Sequence, residues 1–177
     1  MPIEVLMDKF PEAKSSLKEI TKDDSSNANI QYLCDGNEAF LSFDTMVKSV
    51  FPIKQPASFD MLIGYKDKLF CIEFKNSTAR NIENRNVQNK AIEGIAALYK
   101  IAQICNLNIE KYKKYFIVIY KRINIDINTK SQNRLHERAD KKVIDFGLSK
   151  YKDTFYDKII TAPCKDYKYI RQRLSIK

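Results

Sequence analysis

The chain has 177 residues, 44% of them hydrophobic and 11% aromatic, which suits one buried core and makes a single domain over residues 1–177 the default. Only 4 Gly and 5 Pro exclude collagen-like or proline-rich tracts, and ample Ile, Phe and Tyr beside 30% charged residues exclude wholesale disorder. The formal charge of +9 is uneven: residues 1–75 carry 9 basic and 12 acidic groups, whereas residues 76–177 carry 22 and 10 and hold all seven arginines.

Residues 4–22 have helix-forming composition broken by Pro11, and a polar run follows over 21–29, which predicts two short helices and a loop. In residues 38–51, after Gly36, the side chains of Phe40, Phe43, Val47, Val50 and Phe51 recur at helical spacing before Pro52, predicting a first core helix. Residues 58–65 and 68–75 are β-rich runs around a polar tip at Lys66 and Asp67, the pattern of a hairpin. A polar loop over 76–85 leads to residues 86–105, where Val87, Ala91, Ile95, Leu98, Ala102 and Cys105 fall three or four apart and predict a long amphipathic helix. Residues 115–120 are the longest unbroken apolar stretch, flanked by lysines, as a buried central strand would be. Beyond them, a loop or exposed helix is expected over 128–142, a further strand over 155–161 and a closing basic helix over 165–174. Strands alternating with helices predict an α/β class.

Six apolar residues fall far short of the ~20 that span a membrane, and Met1, Pro2, Ile3 and Glu4 lack the basic-then-apolar start of a signal peptide. A cytoplasmic chain with no membrane partner is the expectation. Cys34, Cys71, Cys105 and Cys164 show no CxxC spacing and His136 is the one histidine, so a zinc finger is excluded. The same counts argue against a histidine-dependent nuclease or a triad hydrolase, and the cysteines are expected as small buried thiols.

The chemistry concentrates in residues 58–75. Asp60 falls on the first hairpin strand, with Glu73 and Lys75 near the end of the second. Side chains alternate along a strand, so Glu73 and Lys75 share one face while Ile72 and Phe74 take the other. An Asp60 on the same face would bring two carboxylates and an ammonium together, and hard oxygen ligands of this kind suit Mg²⁺ or Mn²⁺. An acid-x-Lys triplet alone means little, because Glu12/Lys14, Asp140/Lys142 and Asp166/Lys168 repeat it; only Glu73 ends an apolar run with an aspartate one strand earlier. The plain alternative is an ordinary ion pair on a surface hairpin. The net positive charge likewise has two readings, a polyanionic partner or the Lys, Asn and Ile usage of an AT-rich genome.

The pattern Asp60, twelve residues, Glu73-Phe74-Lys75 resembles the PD-(D/E)xK nuclease superfamily, which includes restriction endonucleases and Holliday-junction resolvases; the resemblance covers residues 36–122. It implies a restriction-endonuclease-like core, a central mixed β-sheet flanked by helices, in which a helix, a three-stranded antiparallel meander, a helix and a strand follow in order. A basic C-terminal part, 123–177, completes the chain. Asp60, Glu73 and the Phe74 carbonyl would then ligate the metal and Lys75 would orient the attacking water. Glu38 best matches the family's further acid on the first helix, with Asp44 second, and Gln88 or Lys90 a polar residue on the next helix. Arg80 and Arg85, in the loop after the motif, would contact nucleic acid. Phe59 stands where the family often has proline, and the meander's third strand is not evident unless residues 53–57 supply it. The implied activity is Mg²⁺-dependent DNA cleavage, by a homodimer if both strands are cut, with RNA as the nearest alternative substrate. A toxin nuclease would add a protein inhibitor as partner. A non-catalytic nucleic-acid- or protein-binding module is the rival from another class. Lys165, Tyr167, Lys168, Tyr169, Arg171 and Arg173 fit either a backbone-binding helix or a packed helix with solvated lysines.

Overall fold

A computed structural model describes residues 2–23, 31–34, 36–121 and 145–164; the segments expected over 128–142 and 165–174, with His136, lie outside them. In chain order the elements are α1 (Pro2–Lys9), a 3₁₀ turn (Pro11–Ala13), β1 (Lys14–Ser16), α2 (Leu17–Ile20), β2 (Lys22–Asp23), β3 (Gln31–Tyr32), β4 (Ala39–Ser42) and α3 (Phe43–Val50). There follow β5 (Met61–Tyr65), β6 (Lys68–Thr78), a 3₁₀ turn (Ala79–Asn81), α4 (Asn84–Ile104), β7 (Lys113–Lys121), a 3₁₀ turn (Ser149–Tyr151) and β8 (Lys158–Pro163).

Six strands form one mixed sheet in the order β1-β4-β5-β6-β7-β8, and β2 with β3 forms a separate two-stranded ribbon. The pairs from β1 to β6 are antiparallel, whereas β6, β7 and β8 run parallel. The chain is therefore an α/β protein, with helices flanking a mixed sheet. Helix α4 makes the crossover between β6 and β7, as a parallel pair requires.

The expected helix over 38–51 divides in two. Residues 39–42 pair with both β1 and β5, and only then does α3 begin. Phe40 and Leu41 are buried on opposite faces of the sheet, and four residues with apolar groups on both faces satisfy a helical spacing as readily as an extended one. Ser42 ends the strand and starts the helix, its hydroxyl accepting a hydrogen bond from Thr45 N at 3.3 Å. This strand, rather than residues 53–57, supplies the third member of the antiparallel set. The opening segment departs from two short helices in the same way: three of its residues, β1, leave helical form to pair along β4. The last strand also lies later than expected, at Lys158–Pro163, with Phe155 and Tyr156 in the turn before it.

Each face of the sheet carries its own core. On one face Leu62, Leu69, Cys71, Phe116 and Val118 pack with residues of α3 and α4; on the other Met61, Ile63, Phe70, Ile72, Ile117 and Ile119 pack with Leu17, Cys34 and Phe40. Because the first half of β6 and the middle of β7 are buried on both faces, residues 69–72 and 115–120 read as continuous apolar runs. Phe59, just before β5, joins the first core. Its ring stacks on Phe43 at 4.0 Å between centroids and meets Phe116 edge-on at 6.5 Å. Gly94 of α4 permits this approach, since a Cβ there would stand 2.8 Å from Phe59 Cδ1. The Phe59 ring is fully buried and cannot turn aside. Gly94→Val is expected to lower the unfolding free energy by about 1–3 kcal/mol through overpacking, read by urea denaturation; an unchanged midpoint would mean that α4 does not press on this ring.

Candidate active site

Three elements bring four charged side chains together. Strand β5 begins at Met61, opposite Ile72, and the Asp60 N–H makes the last rung by donating to Ile72 O at 3.0 Å. Beyond that rung β6 continues to Thr78 with no β5 residue beside it, and the Asp60 side chain takes the next position. Its Oδ2 accepts a hydrogen bond from Phe74 N at 2.6 Å. The aspartate thus caps the exposed end of the ladder with a charge-assisted bond, which fixes its rotamer.

Glu73 and Lys75 alternate with Phe74 along β6, so both point to the face that α4 covers. Glu73 has no exposed side-chain surface, whereas Lys75 keeps 21%. The Lys75 ammonium lies 2.9 Å from Glu73 Oε1. Lys90, on the second turn of α4, reaches down between the strands: its Nζ stands 2.8 Å from Glu73 Oε1 and donates to Glu73 Oε2 at 3.0 Å and to Asp60 Oδ1 at 3.1 Å. Two carboxylates and two ammonium groups make a compact cluster with no net formal charge.

Burial is the largest influence on Glu73 and pushes its carboxyl up, the Asp60 charge adds to this, and Lys90 and Lys75 only partly offset it, leaving the group at about 7. Burial would lower the Lys90 ammonium, but Glu73 and Asp60 outweigh it and hold the group well above its usual range. Asp44 of α3 lies at the margin. Its Oδ1 accepts from Ser58 Oγ at 2.7 Å and its Oδ2 pairs with Lys48 at 2.6 Å. Burial raises this carboxyl, yet hydrogen bonds from Lys48 and Ser58 and the charges of Lys48 and Lys90 leave it below the usual value.

The other candidate residues are dispersed. Glu38 is exposed and immediately precedes Ala39, at the end of β4 away from Ser42, whereas Asp60 adjoins the Ser42–Met61 pair; the structure does not bring Glu38 to the cluster. Gln88 turns to the 145–151 segment, donating to Phe146 O at 2.9 Å and accepting from Lys150 at 3.0 Å. Arg80 and Arg85 are exposed, the first in the 3₁₀ turn after β6 and the second in the opening turn of α4, so the expected loop over 76–85 is partly strand and partly helix. Lys90 was legible only as a polar residue bordering the Val87 and Ala91 stripe. Its bridging position depends on the angle at which α4 crosses β6.

A cleft of about 240 Å³ opens beside Asp60 and Lys75, walled by Asn76 and Ser77 and, from the small ribbon, by Thr21, Lys22 and Leu33. No local pattern in those ribbon residues marks them as its wall. A larger cleft, about 400 Å³, lies at the other end of β7 and shares no residue with the cluster.

The donor set suits a hard divalent ion in its chemistry. Glu73 Oε1 is fully buried and accepts no well-aligned hydrogen bond among the described residues, being held by the two ammonium groups. No third Asp, Glu, His or Cys completes a ligand cluster among the described residues, but Mg²⁺ retains several waters and needs only one or two carboxylates. Lys90 and such an ion would compete for the same oxygens. Comparison with protein-family models, curated proteins and solved structures finds no match to this chain.

The buried carboxylate makes stability depend on pH. An unfolded Glu73 ionises near 4.5, but the folded one keeps its proton to about 7, so between those values the folded state binds more protons and stability falls as pH rises. The unfolding free energy of the parent chain relative to that of Glu73→Gln should fall by about 3 kcal/mol from pH 4.5 to 8. A flat difference in urea titrations would contradict a carboxyl raised by burial.

Proposed function

We propose that the chain is a divalent-metal-dependent nuclease with a restriction-endonuclease-like core, hydrolysing phosphodiester bonds of DNA. The observation that carries this reading is the convergence of Asp60, Glu73 and Lys75, from the end of one strand and the middle of its neighbour, beside an open cleft. The order of elements supports it: antiparallel β4, β5 and β6, then α4, then parallel β7, with α3 inserted between the first two strands.

Asp60 and Glu73 would hold the ion, joined by the Phe74 carbonyl as the superfamily resemblance implies. Bound there, Mg²⁺ supplies polarisation of the scissile phosphate and offsets the charge that builds on its oxygens. Lys75, held by Glu73 at the mouth of the cleft, would orient the attacking water, as the superfamily resemblance implies. Lys90 would yield the carboxylate oxygens to the ion and keep its ammonium near the phosphate. Arg80 and Arg85, on the surface beyond the end of β6, would grip the backbone through charge and bidentate hydrogen bonds.

The purified chain incubated with plasmid, linear duplex, single-stranded DNA and RNA, each with Mg²⁺, Mn²⁺ or a chelator, tests this reading. DNA cleavage that needs metal and falls by about 10²-fold or more in Asp60→Asn, Glu73→Gln and Lys75→Ala is expected. Cleavage confined to RNA would move the substrate class, and no cleavage of any substrate would remove the enzyme.

One observation favours a second reading. Lys90 already bridges both carboxylates and, with Lys75, balances their charge, as the pair would in a structural ion cluster of a binding module with this fold. Metal titration separates the two. For a metal site, Mn²⁺ should raise the melting temperature of Lys90→Met more than that of the parent chain, because the ion takes over the vacated oxygens, and should do nothing for Glu73→Gln. A structural cluster would show no saturable shift in any of the three.

A further inference from the structure

Two thiols far apart in sequence meet beside the small ribbon. Cys34 Sγ and Cys164 Sγ are 3.0 Å apart, 130 residues from one another along the chain. The Cys164 thiol also donates to Leu33 O at 2.9 Å. Both sulfurs pack on the core face formed by Leu17, Phe40 and Ile63, where Cys34 is buried and Cys164 half-buried. A disulfide needs about 2.05 Å between sulfurs, so a small approach would suffice to join them. The hydrogen bond with Cys34 lowers the Cys164 thiol against the opposing effect of burial, which favours the thiolate on the more accessible partner. Cys71 and Cys105 offer a contrast. Both are enclosed in the opposite core, and burial pushes the Cys71 thiol far up.

We propose that Cys34 and Cys164 form a reversible redox pair, closing to an intramolecular disulfide on mild oxidation by a peroxide. The Cys164 thiolate attacks hydrogen peroxide, the O–O bond breaks, and the sulfur becomes a sulfenic acid while the departing hydroxide takes a proton to leave as water. The Cys34 sulfur then attacks that sulfur, the S–O bond breaks, and the Cys34 proton leaves with the hydroxyl as a second water. Two thiols lose two electrons in all, and the peroxide is reduced to two waters.

The bond would join two parts of the fold that the sheet leaves separate. Cys34 is tied to the base of the ribbon, where the Thr21 hydroxyl accepts from Cys34 N and donates to Cys34 O, each at 3.2 Å. Cys164 directly follows the end of β8, where Pro163 lies beside Tyr120. Oxidation would clamp the end of β8 to the ribbon whose Thr21 and Leu33 wall the Asp60 cleft. The pair stands whether or not that cleft cuts nucleic acid.

Reduced, desalted full-length chain treated with a few equivalents of hydrogen peroxide should lose about 2 Da, the mass of two hydrogens, and yield a peptide joining Cys34 to Cys164. Its melting temperature should rise by roughly 5–15 °C, because the bond closes a long loop in the unfolded state, and dithiothreitol should reverse the rise. Neither change should occur in Cys34→Ser or in Cys164→Ser; the second alters a half-buried position and guards against misfolding in the first. Oxygen added to Cys164 without a crosslink, a link between separate chains, or a link that dithiothreitol fails to open would each overturn the proposal.

Discussion

Glu73 sits in the middle of the sheet with no contact with solvent, and two ammonium groups hold its charge there. Isolated, an ionised carboxylate in that position would be displaced by protonation or by unfolding, because the desolvation penalty of a single buried ion amounts to several kcal/mol. Lys75 supplies one cation from the same strand and Lys90 the other from α4. Lys90 thereby ties α4 to β6 and to Asp60, whose rotamer the Phe74 N–H also holds. Even so the charge balance is incomplete, for burial still raises the Glu73 carboxyl to about 7. An apolar side chain of equal volume is often neutral or more stabilising at such a site, so the buried ion cluster is no measure of how stable the fold is.

The fold builds the cluster by stopping one strand short. β5 starts at Met61 while β6 runs on to Thr78, so among the described residues no strand flanks the end of β6 on that side, and the Asp60 carboxylate meets its first N–H. The neighbouring Phe59 anchors the same turn in the core by stacking on Phe43 under α4. A rigid aromatic contact and a charge-assisted hydrogen bond thus set adjacent residues, one facing the core and one facing the cleft. The cleft's far wall comes from a ribbon outside the main sheet, attached through the Thr21 and Cys34 hydrogen bonds.

Parts of this were legible in the chain. The long helix was, because Val87, Ala91, Ile95, Leu98 and Ala102 repeat over several turns and only one period fits them. The hairpin was too, its polar tip marked by Lys66, which adopts a left-handed backbone with φ of 54°. Residues 39–42 were not, because four residues with Phe40 and Leu41 on opposite faces are too few for period two to be told from period 3.6. β1 was hidden for the same reason, being three residues whose extended form comes from pairing with β4.

What the sequence determined by itself is local chemistry: Glu73 and Lys75 on one face with Phe74 on the other follows from the two-residue repeat of any strand. The presence of an aspartate one strand earlier is equally a matter of sequence. Tertiary structure alone decided what those groups meet. Lys90 lies seventeen residues beyond Glu73, and its ammonium reaches both carboxylates only because α4 crosses back over the sheet to make β7 parallel to β6. Glu38 parts from Asp60 because β4 runs antiparallel to β5 and carries it to the other end. Cys34 meets Cys164 because β8 adds to the sheet in parallel beside β7 and ends near the ribbon. Such encounters depend on crossing angles and strand order, which arise from the packing of whole faces and leave no mark on any short stretch of chain.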